Sequence, residues 1–322
     1  MKKFEEVVLI INHIESRKNM NLYSRDNEFS SNTMYNAIKT SLLELTDKLY
    51  EYTSLNYFIE NISYHKNAIV ISTIWSGIDS RNRRIFLPAI CEAYGIKYIG
   101  ADAYVQALSA DKVLSKEFSK QYGIKSAKSI TIRSTKDILL INTLTYPLVI
   151  KPNFEGGSIG ISDNNIVNNF NEANILILNL LQVYKEIIAE EYLEGNEVSV
   201  CITGKPNKIK LFEVVKLSLG GVDFFDHQIL GFESKKGGKL HQERTIITDN
   251  LNPRDKENLL KLFKNLGKVD YMRIDGRIKN GEFYLIELTP DCSLHPDCYM
   301  FTAYKHNKYT YTEMIYELLT LA

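Results

Sequence analysis

Short, uninterrupted apolar runs alternate with longer stretches of helical spacing through the first third of the chain. Val7-Val8-Leu9-Ile10-Ile11, Ala68-Ile69-Val70-Ile71-Ser72 and Lys97-Tyr98-Ile99 read as buried strands, and Asn32 to Tyr50 and Arg84 to Ala93 as helices between them. That alternation predicts an α/β domain over residues 1–109. Residues 110–186 hold a helix from Asp111-Lys112 to Gly123, strands and a glycine-rich loop, which predicts a small α+β lid. In residues 187–322 the strands turn acidic. Ile187 to Glu197 breaks at Gly195 and resumes as Val198 to Ile202 with period two. Tyr271 to Asp275 and Glu282 to Leu288 read as a hairpin turning at Asn280-Gly281, and a helix from Thr312 to Leu321 closes the chain. Ser218 to Gln242, with Gly220-Gly221, Gly231 and Gly237-Gly238, reads as a mobile cover over a site.

Composition narrows the partners. Lys plus Arg equals Asp plus Glu at 39 each, so no global charge draws the chain to nucleic acid or anionic lipid. In MKKFEEVVLIINH, Glu5 and Glu6 follow the lysines and the apolar run is too short for a signal peptide or a membrane span. Cys91, Cys201, Cys292 and Cys298 form no disulfide framework, which points to a reducing cytoplasm. Small molecules are the expected partners, with no nucleic acid and no membrane, and a homodimer is the assembly to test. At 322 residues the chain is long enough for two or three domains.

The chemistry starts at Lys151, which ends the apolar strand Leu148-Val149-Ile150 just before Pro152. Gly156, Gly157 and Gly160 let backbone amides approach phosphate oxygens without Cβ interference, and Ser158 adds a hydroxyl donor. That is an anion cradle suited to a nucleoside triphosphate. It is not a P-loop, because the lysine precedes the glycines, and the spacing is not GxGxxG. The bland alternative is a hairpin turn beside a surface lysine. Asp275 and Glu287 are the hard oxygen ligands that Mg²⁺ or Mn²⁺ takes. A strict two-residue turn at Asn280-Gly281 would oppose Asp275 to Ile286 and send Glu287 to the other face, so a bulge is required. Gly281 is the expected place for it.

The order K-P-x-x-E-G-G-S-x-G from Lys151, E-E-Y-L-E-G-x-E from Glu190, R-I-D from Arg273 and E-L-T from Glu287 resembles the ATP-grasp superfamily, and within it the D-alanine:D-alanine ligases. The resemblance covers most of the chain and implies a fold that is α/β and α+β: an ATP-grasp fold behind an N-terminal α/β (pre-ATP-grasp) domain. It implies ATP between two sheets, with Lys112 and Lys151 on the phosphates under the loop Glu155, Gly156, Gly157 and Ser158. The peptide bonds of Glu191, Tyr192 and Leu193 would meet the adenine edge, with Glu190 at the adenine amine and Glu197 at the ribose. It also implies a carboxylate–amine ligation through an acyl phosphate, in which Arg273 lies near the tetrahedral oxyanion. Glu28, in Glu28-Phe29-Ser30, would hold the ammonium of a first amino acid.

Departures gather on the substrate side. Thr289 stands where the family has a metal-binding Asn, and Asp291 is the expected replacement ligand. Ser293 replaces the oxyanion-hole glycine, and Cys298 the serine that binds the second substrate's carboxylate. Gly157 stands where the family has a serine beside the first substrate. The Y-x-x-K-Y cover loop is missing; His227 occupies its place, with Lys235 and Lys236 beyond. A thiol is a poor partner for a carboxylate, so the expected acceptor lacks a carboxylate there or is a larger amino acid touched by His295, and the main product is not D-alanyl-D-alanine. Zinc at Cys292-x-x-His295-x-x-Cys298 is weighed against a packing or pocket role, which is preferred because no fourth ligand is in view. The alternatives are a D-alanine:D-alanine ligase proper and a non-catalytic nucleotide-binding regulator.

Overall fold

The computed structural model describes residues 3–14, 21–73, 80–231 and 241–322. The expected first strand is β1 (Phe4–Ile10), followed by β2 (His13–Ile14), β3 (Ser30–Ser31), helix α1 (Asn32–Leu45), β4 (Thr46–Tyr52), α2 (Leu55–Asn61), β5 (Ile69–Ser72), α3 (Phe86–Tyr94) and β6 (Lys97–Tyr98). The sheet is parallel, in the order β4-β1-β5-β6. Such a sheet is covered on both faces, which is why β1 reads as one apolar run. Val7 and Leu9 pack with Met34, Ile38 and Leu42 of α1, while Val8 and Ile10 face Phe58, Val70 and Cys91. Each such side chain, fully buried, contributes roughly 1.5–3 kcal/mol. The helix expected to run to Tyr50 ends at Leu45, and its last residues are the edge strand β4. Asp47, Lys48, Tyr50 and Glu51 are polar or exposed there, as an edge allows, so the segment carries little apolar signal.

Helix α4 (Ala103–Ala110) leads to α5 (Lys112–Lys120), whose first turn is capped by Asp111 accepting from the amides of Val113 and Leu114. Strands β7 (Lys125–Ser126), β8 (Ser129–Ile132), β9 (Leu148–Pro152) and β10 (Ile166–Val167), helix α6 (Phe170–Leu181) and β11 (Ile187–Glu191) follow. An antiparallel sheet β10-β9-β11-β8 carries α6, around a core of Ile132, Leu148, Ile150, Ile177, Ile187 and Ala189. Pro152 does not end the pairing as its missing amide suggests; it is still opposed to Ile187.

Beyond Gly195 the chain changes sheet. Strands β12 (Gly195–Lys205), β13 (Lys208–Leu219), β14 (Phe224–Phe225) and β15 (Gln242–Ile246), helix α7 (Pro253–Asn265), β16 (Tyr271–Lys279) and β17 (Glu282–Pro290) precede α8 (Tyr299–His306) and α9 (Tyr311–Leu319). The large sheet runs β15-β13-β12-β16-β17-β7, with β14 paired to β12. One face packs Val198, Val200, Ile274 and Leu288 on Leu259 and Phe263 of α7. The other joins Cys201, Leu217 and Tyr271 to Met300 and Tyr304 of α8, Met314 of α9 and the α1 face of the N-terminal sheet. Phe232 to Leu240 of the expected cover segment, Lys235 and Lys236 included, lie outside the described residues.

The hairpin β16–β17 corrects one expectation. Asn280 and Gly281, at φ 52° and 79°, form a strict two-residue turn with Lys279 opposed to Glu282, so Gly281 is not in a bulge. The extra residue is Ile286. Gly276 opposes Leu285, yet Asp275 opposes Glu287. The core side of β17 accordingly changes parity, from Phe283 and Leu285 to Leu288 and Pro290.

At Gly276 a Cβ would collide with the Phe283 ring and the Tyr284 carbonyl. Gly276→Ala should therefore destabilise the fold by about 1–3 kcal/mol, read as a lower midpoint in denaturant unfolding, because the carbonyl cannot yield without disturbing the register. An unchanged midpoint contradicts the close approach.

Candidate active site

Period two in three adjacent strands assembles one charged face. Glu197 and Ser199 of β12, Arg273, Asp275 and Arg277 of β16, and Glu287 and Thr289 of β17 are cross-strand partners: Glu197 opposes Arg277, Ser199 opposes Asp275, and Thr289 opposes Arg273. Asp275 accepts from Ser199 Oγ at 2.6 Å, from Thr289 Oγ1 at 3.0 Å, and from Arg273 Nε and Nη2 at 3.1 and 3.0 Å. Arg277 Nε donates to Glu197 at 2.8 Å, and its other nitrogens to the carbonyls of Leu193 and Gln228. Its guanidinium lies 5.0 Å from the Tyr192 ring and 5.4 Å from that of Phe225.

The lid sheet faces this surface with lysines. Lys151 Nζ is 2.6 Å from Glu190, which also pairs with Lys116, one helical turn beyond Lys112 on α5. Lys112 Nζ donates to the carbonyls of Asn153 and Glu155 and lies 3.7 Å from Glu287. Asn153 ties the end of β9 to the start of α5 here: its side-chain oxygen accepts from the Lys112 amide at 2.9 Å, and its side-chain nitrogen donates to Asp111 at 3.0 Å. One carboxylate shared by Lys116 and Lys151 leaves positive charge in excess. Burial first, and repulsion from the neighbouring lysine second, bring Lys151 down to about 8, and burial lowers Lys112 as well.

These groups line two adjoining cavities. One, of about 180 Å³, is bounded by Lys116, Lys151, Glu190, Leu193, Glu197, Asp275 and Arg277. The other, of about 510 Å³, is lined among others by Glu28, Gly157, Cys298 and Tyr299, the last of which also lines the smaller one. Lys112, Glu155, Gly156, Arg273 and Glu287 line both. The glycine loop forms part of the shared wall. Gly157 and Ser158 are left-handed at φ 64° and 63°, and a Cβ on Gly156 would strike Arg84.

Several expected site residues hold other positions. Glu28 is not open to an ammonium: Arg83 donates to both its oxygens at 2.9 Å and Arg84 to one at 3.2 Å. Burial opposes its charge, but Arg84 and Arg83 hold its pKa below the usual value. Arg83 also reaches Glu155 at 3.0 Å. Ser158 donates to the Leu230 carbonyl at 2.9 Å, and the Glu191 carboxylate accepts from the Thr145 amide at 3.0 Å. The Tyr192 amide is taken by the Pro147 carbonyl, and the Leu193 carbonyl by Arg277. Asp291 turns away from Asp275 to accept from the Ala101 amide at 2.8 Å and Gln106 at 2.6 Å; burial raises it to about 8, against the Ala101 bond. It is therefore a brace on the start of α4, not a replacement metal ligand. His227 is exposed, 6.1 Å from the Tyr192 ring, and lines neither cavity.

Ser293, His295 and Cys298 do line the larger cavity. The zinc alternative finds no support there. Burial raises the thiols of Cys292 and Cys298, His295 Nδ1 accepts from the Asp297 amide at 3.0 Å, and among the described residues no group of three His, Cys, Asp or Glu could hold a metal.

Sequence reasoning passed over Lys116, Arg277, Arg83, Arg84 and Arg244. Two left a trace: Lys112, Ser115, Lys116 and Ser119 make a polar buried stripe at helical spacing, and Arg277 continues the alternation of Arg273 and Asp275.

The profile of the family described as D-ala D-ala ligase C-terminus matches residues 119–320. A D-alanine–D-alanine ligase of Aquifex aeolicus is 28% identical over 200 residues, which are 62% of this chain and 64% of that protein, so the chain spans less than two thirds of that relative. One of Thermotoga petrophila is 28% identical over 246 residues, 74% of this chain and 76% of that protein. Among solved structures, the D-alanine–D-alanine ligase of Bacillus anthracis complexed with ATP superposes at TM-score 0.74 and 18% identity over 98% of this chain and 97% of that one. The VanG D-Ala:D-Ser ligase of Enterococcus faecalis does so at 0.68 and 19% over 100% and 99%. These likenesses show the fold, an ATP-grasp fold.

Lys151 loses its proton as pH rises through about 8, and a bound triphosphate favours the charged form. Triphosphate affinity should therefore fall between pH 7 and pH 9.5, and binding at the upper end should take up protons, read by calorimetry in buffers of different ionisation enthalpy. Lys151→Ala should flatten that dependence and cost on the order of 10–100-fold in affinity, the worth of a charge-assisted contact. Equal affinity of both proteins across the range removes the phosphate role.

Proposed function

The chain belongs to the D-ala D-ala ligase C-terminus family, and we propose that it is an ATP-dependent carboxylate–amine ligase joining amino acids or amino-acid-like substrates. The observation that carries this reading is the junction of the two cavities at Lys112, Arg273 and Glu287. A terminal phosphoryl group in the smaller cavity and a carboxylate in the larger one would meet there, among desolvated cations. The carboxylate oxygen attacks the phosphorus and ADP leaves; the amine then attacks the acyl carbon and phosphate leaves. No side-chain nucleophile is needed. Lys112, Lys116 and Lys151 neutralise phosphate, and Arg273, fixed by Asp275, stabilises the oxyanion of the second step. Glu190 and Glu197 face the base and the ribose once their cation partners turn to the phosphates or to solvent.

Asp275 and Glu287, opposed on one face at the cavity wall, would hold a divalent cation in place of the Arg273 and Lys112 contacts they make here, with Thr289 bracing Asp275. Mg²⁺ or Mn²⁺ held there would supply positive charge against the phosphates. We also assign the protein to a reducing cytoplasm, supported by four buried free cysteines, and regard a homodimer as the assembly to test by light scattering. Among the described residues no helix is long and apolar enough to cross a membrane. A purely regulatory nucleotide binder is the weaker reading, because Lys112, Lys151, Arg273, Asp275 and Glu287 all line the smaller cavity.

Activity should require Mg²⁺ or Mn²⁺. Asp275→Asn or Glu287→Gln should lower turnover at least 10²-fold, on the order expected for a lost metal contact, with a much smaller change in thermal midpoint. Full turnover in excess EDTA contradicts this.

The main product is expected to differ from D-alanyl-D-alanine, since Glu28 is bound by two arginines and Ser293 and Cys298 line the same cavity. Phosphate release and product mass with single and paired D- and L-amino acids are the assay; D-alanyl-D-alanine as the fastest product overturns the assignment.

A further inference from the structure

Arg244 stands on β15, at the edge of the large sheet, and lines the larger cavity beside Gln242, Cys298 and Tyr299. Its Nη2 donates to Gln242 Oε1 at 2.7 Å, and its guanidinium lies 4.9 Å from the centre of the Tyr299 ring. Its Nε is buried and has no acceptor. Three other arginines that line the cavity are matched with carboxylates: Arg83 with Glu28 and Glu155, Arg84 with Glu28, and Arg273 with Asp275. Among the described residues Arg244 has no carboxylate paired with it; Gln242, the Tyr299 ring and the Cys298 thiol are its neighbours. A buried N–H left unmade costs roughly 1–3 kcal/mol, more on a charged group, and a guanidinium is the side chain best shaped to hold a carboxylate through two nitrogens.

We propose that Arg244 holds the carboxylate of the substrate bound beside Cys298 and Tyr299 in the larger cavity, and thereby determines acceptor specificity. The inference rests on the ligase reading of the same cavity. It replaces the expectation of an acceptor without a carboxylate: the thiol of Cys298 is indeed a poor partner for one, but a cation from another strand stands beside it. The acceptor is then an α-amino acid, its carboxylate accepting from Nε and from a guanidinium nitrogen not given to Gln242. Arg244 acts by binding and positioning; it moves no proton.

The test is calorimetric titration of the full chain, saturated with Mg²⁺ and a non-hydrolysable ATP analogue, with D-alanine, D-serine, L-alanine and the carboxamide of each. Wild type is expected to bind at least one acid more tightly than its amide. Arg244→Gln should weaken that acid on the order of 10–100-fold and leave the amide unchanged, and Arg244→Lys should recover part of the loss, which also covers a glutamine variant that folds poorly. In a phosphate-release assay the acceptor KM should rise by the same factor with kcat little altered. Equal acid affinity in wild type and Arg244→Gln, or no acid bound better than its amide by wild type, overturns the proposal even if the protein is a ligase. Absence of phosphate release with every amino acid overturns the ligase reading instead, while the acid–amide comparison still decides the role of Arg244.

Discussion

One residue too many in β17 sets the chemistry of the face. Between Glu282 and Leu285 the strand pairs with β16 in the register its two-residue turn dictates, and Ile286 then adds a residue, so that Glu287 comes opposite Asp275. Without the bulge, Ile286 would face Asp275 and Glu287 would enter the apolar core over α7. Burying that carboxylate unpaired would cost several kcal/mol, so the register and the core specify each other. Gly276 makes the bulge sterically possible, because any side chain there would meet Phe283.

Charge compensation then does for the site what apolar packing does for the core. Lysines and arginines enter the cavities from α5, β9, β15, β16 and the start of α3, and most are met by Glu28, Glu155, Glu190, Glu197, Asp275 or Glu287. Such pairs are weak sources of stability, since desolvation of both ions offsets most of the attraction. Their value lies in readiness. Burial holds Lys112 and Lys151 below their ordinary pKa, so an incoming phosphate would favour their charged form, and Glu190, shared by Lys116 and Lys151, can release both to an incoming anion. Arg244 stands outside this balance.

The walls of the larger cavity are built from distant parts of the chain. Glu28 follows the first strand and its arginines precede α3, while Cys298 and Tyr299 open α8 and Arg244 comes from β15. The Asn153 bridge joins the end of β9 to the start of α5. The shape of the larger cavity therefore depends on how the domains pack.

By itself the sequence determined the local alphabet. Apolar runs marked the strands, the glycines after Lys151 marked a loop that backbone could approach closely, and R-I-D with E-L-T placed Arg273, Asp275 and Glu287 near the ends of paired strands. These are short-range properties, fixed by period, turn chemistry and steric freedom. The parity clash at Asp275 and Glu287 even required a bulge, but its position depended on which residues of β17 the α7 core would accept. What tertiary structure alone decided was partnership. Glu28 has the right charge for an ammonium, yet arginines 55 and 56 residues away take it; Asp291 has the right oxygens for a metal, yet the Ala101 amide and Gln106 claim them. A polar group bonds with whatever the fold brings within about 3 Å, and that distance has no counterpart along the chain.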